Sequence, residues 1–219
     1  MTRRRRLDCL ALAVVGAVLL AACGATGPTG DGDDALRPAA TMEATQTLVT
    51  MGSSGTVGAG LEAFERPQKT WPQVLFREAF PRATVLVNAA IEQSSASAAR
   101  DDQLPLVAEM EPDVVAMWFG SYEAVQEVSP AQFERDLGAL VADVRALGAR
   151  VLLADLPRSN VPTAAYNRAV ADVAAEHDLT LVRLSAREVD MFGASDTTFL
   201  PTAAGHQVIA DAFADALNS

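Results

Sequence analysis

The sequence predicts a three-layer α/β/α sandwich built on a five-stranded parallel sheet. Three observations carry this expectation. Five short runs rich in apolar and β-branched residues lie at 47–51, 84–88, 113–119, 150–156 and 179–184. Four of them lack apolar/polar alternation, which suits strands buried on both faces. Helix-like spacing of apolar residues falls between and after them, and parallel neighbours need such crossovers.

The elements follow in order. Thr47, Leu48, Val49, Thr50 and Met51 form the first run, closed by Gly52. Thr84 to Asn88 forms the second, and Asp113 to Phe119 the third. Phe133, Leu137, Leu140, Val141, Val144 and Leu147 then repeat at three and four, with Gly148 as the stop. The fourth run is Arg150 to Leu156. Ala165, Ala169, Val170, Val173 and Ala174 make a second helical stripe before the fifth run, Leu179 to Leu184. A last helix from about Ala204 buries Val208, Ile209, Ala212, Phe213 and Ala216. Asn167 and the acidic residues on these helices are expected to form solvated faces. No internal repeat is evident.

Composition narrows the function classes. Half of the 219 residues are apolar, enough for one domain with a real core. The net charge of −11, without a basic stripe, argues against nucleic acid, whose phosphates need clustered Lys and Arg. Two Cys and two His residues leave little for a disulfide framework or a metal site, and no cofactor is expected.

The N-terminus reads as a targeting segment. Arg3 to Arg6 precede an apolar run from Leu10 to Ala22, shorter than the ~20 residues a spanning helix needs. Its exit, Leu20-Ala21-Ala22-Cys23-Gly24, resembles a bacterial lipobox. The expectation is a signal peptide over 1–22, a lipidated Cys23, a flexible tether over 23–45 and a folded domain over 46–219. An ordinary signal peptide with an incidental Cys is the alternative, and the Arg cluster leaves Sec and twin-arginine export both open. Removing residues 1–22 takes away four Arg and one Asp, leaving 13 basic and 27 acidic residues and a net charge of −14. A chain this acidic is not held to an anionic membrane by its surface. Two acyl chains on Cys23 would hold it, outside the cytoplasm and at the membrane.

In open α/β sheets the working site lies beyond the carboxyl ends of the strands. The first run exits into Gly52-Ser53-Ser54-Gly55-Thr56-Val57-Gly58, and the second into Ala89-Ala90-Ile91-Glu92-Gln93. The third exits into Gly120-Ser121-Tyr122-Glu123. Thr70-Trp71-Pro72 lies between the first two, and Thr197-Thr198-Phe199-Leu200-Pro201 with Gly205-His206 lies near the end. In order and spacing these blocks resemble the SGNH/GDSL hydrolase family over roughly residues 47–217. The resemblance implies a flavodoxin-like SGNH hydrolase fold and serine ester hydrolysis. It implies a Ser nucleophile after the first strand and oxyanion donors after the second and third. It also implies an Asp-x-x-His base pair before the last helix.

Carried over residue by residue, Ser54 matches the nucleophile, with Ser53 where Asp is usual. Read from the residues alone, Ser54 is better explained as a loop Ser capping the next helix, and it is the wider pattern that favours the nucleophile. Gln93 falls on an oxyanion Gly and keeps its backbone N–H. Tyr122 falls on the oxyanion Asn and donates along a different vector. Leu200 stands at the base His and Thr197 at the orienting Asp, with Asp196 one residue early. Leucine accepts no proton, and a Ser without a base is a poor nucleophile. His206 and His177 read as structural, the latter at a helix C-terminus. Glu92 and Glu123 are candidate substitute bases, though solvated loop acids are the simpler reading.

Three functions compete. The first is an impaired family member that binds an acyl ester, acetylated sugar or cell-envelope glycan. The second is a working but atypical ester hydrolase that uses Ser54. The third is a flavodoxin-like phosphate or cofactor binder, for which the loop 53–56 would cradle the phosphate. A tethered monomer is the default state.

Overall fold

The computed structural model describes residues 46–192 and 199–219. The strands are β1 (Gln46–Gly52), β2 (Thr84–Asn88), β3 (Val114–Trp118), β4 (Arg150–Ala154) and β5 (Thr180–Val182). They form one sheet in the order β2-β1-β3-β4-β5, with every pair parallel. The four pairings place β1 between β2 and β3, so the strand order reverses there. That reversal opens the crevice in which such sheets hold ligands.

The helices are α1 (Ser54–Val57), α2 (Arg66–Lys69), α3 (Trp71–Ala79), α4 (Ala96–Asp102), α5 (Leu104–Glu109), α6 (Ser121–Val125), α7 (Pro130–Arg145), α8 (Ala164–Glu176) and α9 (Ala203–Leu217). Helices α3 and α9 pack together on one side, where Trp71 stacks on Phe213 with centroids 4.4 Å apart. On the other side α7 packs against both α4 and α8. The central strands β1 and β3 are buried throughout their apolar residues, as expected for strands covered twice. The edge strands β2 and β5 are only partly covered. No helix among the described residues is long and apolar enough to cross a membrane.

Local signals account for the long helices. Ser129 caps α7 by accepting the N–H of Gln132, and Pro130 follows at a position that needs no donor. Phe133, Leu137, Leu140, Val141 and Val144 form its buried face. Thr202 caps α9 by accepting the N–H of Gly205.

Three expectations need correction. Leu147 lies past the end of α7 and is 37% exposed, so it is not part of the buried stripe. Ala165 is exposed, and its neighbour Tyr166 is buried instead, donating its phenol to the Val128 carbonyl at 2.6 Å. Asn167 is not on a solvated face. Its amide accepts the Leu156 N–H at 2.8 Å and donates to the Leu156 carbonyl at 2.9 Å, closing the chain that leaves β4. The segments expected at 113–119, 150–156 and 179–184 each lose one or more residues at the ends. There the ladder ends while Phe119, Leu156, Leu179 and Leu184 keep the composition apolar.

Candidate active site

The register of the sheet brings the strand-end loops together. Gly52 lies opposite Trp118 on β3, and Thr50 lies opposite Asn88 on β2. Ser54 therefore begins α1 within reach of the chain leaving both neighbours. The turn at Gly52 leaves no room for a side chain. A Cβ there would strike the Thr56 hydroxyl and lie 2.7 Å from the Trp118 carbonyl.

Ser54, Gln93, Tyr122 and Leu200 line one cavity of 310 Å³, together with Ser53, Ser121 and Gln126. The Gln93 backbone N–H donates to Ser54 Oγ at 3.0 Å. The hydroxyl is thus aimed at the loop after β2 and makes no helix cap. Gln93 adopts φ of 57°, a left-handed conformation that a side chain disfavours. Glycine would adopt this conformation freely, whereas Gln93 adopts it at a cost in backbone strain.

Tyr122 sits in the first turn of α6, which Gly120 opens with φ of 105°. Leu200 is held by its own backbone, because its carbonyl accepts the Phe192 N–H at 2.8 Å. Leu200 lines the cavity beside Ser54. Thr197 and Asp196 lie outside the described residues, as does Cys23.

Neither histidine lines this cavity among the described residues. His206 is fully buried, and its Nδ1 accepts the Trp71 N–H at 3.2 Å. The proton of the neutral ring is therefore on Nε2. Burial holds this imidazole at a pKa of about 4, so it anchors α3 to α9 as a neutral group. The unfolded chain takes up a proton near pH 6.5 and the folded one only near pH 4. Stability is therefore full above the higher value and falls as pH drops through that window. We expect about 3 kcal/mol to be lost this way between about pH 7 and about pH 4. Urea unfolding across that range checks it, because a His206→Asn variant should lack this part of the loss. His177 terminates α8 and stands apart from the site.

The two acids differ from each other, and only Glu123 departs from the expectation of a solvated loop acid. Glu92 is exposed at the rim and lies 3.8 Å from the Arg66 guanidinium. Glu123 is 2% exposed, so it is no solvated loop acid. One of its oxygens accepts the Ala96 N–H at 2.7 Å and the other the Gly120 N–H at 3.0 Å. Burial pushes its carboxyl above the ordinary range, against the pull of those N–H groups. With both oxygens so engaged, Glu123 braces the start of α6 against the start of α4 and does not reach Ser54 as a base.

A residue the motifs did not reveal holds the Ser54 turn. Gln103 is fully buried between α4 and α5. Its amide accepts from the Gly52 N–H at 3.1 Å and donates to the Gly52 carbonyl at 2.9 Å and to Ser94 Oγ at 3.0 Å. One side chain thus ties the turn bearing Ser54 to the residue after Gln93. Asn88 adds a second tie by donating to the Thr56 carbonyl at 3.2 Å. No sequence signal distinguishes Gln103, an uncharged polar residue beside Asp101 and Asp102.

Part of the loop expected to cradle phosphate is already bonded to itself. The N–H groups of Thr56 and Val57 both bond to the Ser53 carbonyl, at 2.9 and 3.2 Å, within the α1 turn. They are unavailable to an anion.

The GDSL-like Lipase/Acylhydrolase family matches the chain over residues 50–208. The chain belongs to this family. Esterase TesA of Pseudomonas aeruginosa is 30% identical over 144 residues, covering 64% of this chain and 70% of TesA. A crystal structure of TesA superposes with a TM-score of 0.66 at 25% identity, over 78% of this chain and 98% of that one. A catalytic mutant of Axe2, an acetylxylan esterase from Geobacillus stearothermophilus, superposes with a TM-score of 0.62 at 18% identity, over 78% and 94% of the two chains. That last likeness is one of fold. In this SGNH/GDSL family member the Gln93 N–H meets the Ser54 hydroxyl in a cavity that Tyr122 and Leu200 also line.

Proposed function

We propose that this SGNH/GDSL protein is a catalytically impaired binding module for an acyl ester or a cell-envelope glycan, anchored outside the cytoplasm by lipid on Cys23. The observation that carries the reading is Leu200. Its aliphatic side chain lines the cavity beside Ser54, and both histidines of the chain are placed elsewhere. With leucine in place of a base histidine, attack by Ser54 loses the ~10²–10⁴-fold that general-base catalysis contributes. Cavity and nucleophile turn remain built, so recognition outlives the chemistry. The lipid anchor rests on the Leu20-Ala21-Ala22-Cys23 exit and the basic start of the chain.

The second reading, an active ester hydrolase, draws support from the Gln93 N–H aimed at Ser54 Oγ and from the esterase relatives. Steady-state hydrolysis of p-nitrophenyl acetate separates the two. We expect the wild type to turn the ester over no faster than a Ser54→Ala variant. A Ser54-dependent rate would favour the second reading.

A further inference from the structure

We propose that the β2 edge of the sheet is a homodimer interface. Two copies of this chain pair antiparallel along Thr84–Asn88, about a two-fold axis at Leu86, and join their sheets into one. β2 ends the strand order, so only one of its sides is paired, to β1. The Gln46 N–H donates to the Ala83 carbonyl, and the Ala89 N–H donates to the Thr50 carbonyl. With the parallel register, these bonds turn the backbone groups of Ala83, Val85, Val87 and Ala89 toward β1. Those of Thr84, Leu86 and Asn88 therefore face away from the sheet. The Thr84 N–H closes on the Pro81 carbonyl at 3.0 Å. Among the described residues, the Thr84 carbonyl, the Leu86 N–H and carbonyl and the Asn88 N–H have no partner.

Hydrogen bonding, side chains and charge choose a second copy as the occupant. With Leu86 opposite the second copy's Leu86, the two residues exchange both N–H···O bonds. Each Asn88 N–H then meets the other copy's Thr84 carbonyl. The pairing leaves out only the Thr84 N–H, already satisfied, and the Asn88 carbonyl at the exposed strand end. The same register sets Val85 against the second copy's Val87, twice, in the closer kind of antiparallel pair. Val85 is 46% exposed, so pairing covers an apolar side chain that otherwise faces water. Exposed Arg82 precedes the strand and exposed Glu92 follows it. Antiparallel pairing brings these unlike ends together, whereas parallel pairing would stack like charges. No charge, proline or bulge interrupts Thr84–Asn88, and these are the devices that keep edge strands apart. The other edge, β5, has them, being three residues long and running straight into exposed Arg183. In the dimer the two Ser54 cavities open at opposite ends of the joint sheet, because the paired strands point in opposite directions.

Sedimentation velocity of the purified full chain tests this, from about 1 µM to about 1 mM and beside a Val85→Lys variant. A strand edge of five residues is smaller than a standard interface, so we expect half-dimerisation at roughly 10–500 µM. Val85→Lys sets a charge against Val87 and should weaken the dimer by about tenfold or more. Val85 is exposed, so the variant should fold. Hydrogen exchange of the wild type, read at single amides, reports the register. The Leu86 and Asn88 N–H groups should gain protection as the protein is concentrated. A monomer throughout the range overturns the proposal. A dimer that Val85→Lys leaves intact places association elsewhere on the chain and overturns it too. Protection of the Leu86 and Asn88 amides already at the lowest concentration would mean that another segment of the same chain covers the edge, and would equally overturn it.

Discussion

Placing a histidine at position 200 and an aspartate at 197 should raise Ser54-dependent ester hydrolysis by about 10²–10⁴-fold, the contribution of a positioned general base. The backbone at Leu200 is already fixed by the Phe192 N–H and lies against the Ser54 turn, since a Cβ on Gly55 would sit 3.3 Å from the Phe199 carbonyl. A Leu200→His side chain would therefore enter the cavity that Leu200 now lines. The Thr197→Asp change supplies the acid that the family pattern places three residues earlier, which holds the imidazole in the productive tautomer. Tyr122 still replaces the oxyanion Asn, so the gain should lie toward the lower end of the range. Hydrolysis of p-nitrophenyl acetate by the double variant, with and without Ser54→Ala, measures the effect. A folded double variant with no Ser54-dependent gain would show that the missing base does not limit the site.

Replacing Gln103 by leucine should cost about 3–5 kcal/mol of stability. The buried Gly52 N–H loses its partner, while the Gly52 carbonyl keeps only the Ile91 N–H at 3.3 Å and Ser94 Oγ keeps only its bond to the Ser95 carbonyl at 3.3 Å. The unsatisfied N–H costs ~1–3 kcal/mol and each of the two other lost bonds ~0.5–1.5 kcal/mol, and the three are too close for their costs to add fully. Leucine fits the volume but offers no hydrogen bond. The loss is a structural one with a local signature, because Ser54 and Gln93 sit on the two loops this amide joins. Urea unfolding gives the stability change. A change under about 1 kcal/mol would mean that Asn88 and the sheet hold the turn without Gln103.

Much of the fold was legible because burial on two faces imposes a pattern. β2 was expected at 84–88 and lies at Thr84–Asn88, and the α7 stripe ends at the turn that Gly148 marks. β5 was overestimated because Leu179 and Leu184 extend its apolar composition beyond a ladder that spans only Thr180–Val182. The short helices α1, α2, α4, α5 and α6 left no period long enough to read.

The candidate site divides in the same way. Ser54, Gln93, Tyr122 and Leu200 were legible by their order along the chain, and the sheet brings them to one cavity. The roles of Glu123 and Gln103 were not legible. Each bonds to backbone groups far along the chain, from Glu123 to Ala96 and from Gln103 to Gly52. Such bonds carry no residue signature at the partner, because every residue but proline has an N–H.

The central claim is that Ser54 occupies a formed site without being activated. Treatment of the purified protein with a fluorophosphonate probe, beside a Ser54→Ala control, tests it most directly. The account predicts no labelling of the folded wild type above the level of the control. Labelling that disappears in Ser54→Ala would show an activated serine, and would contradict the account by requiring a proton acceptor in place of Leu200.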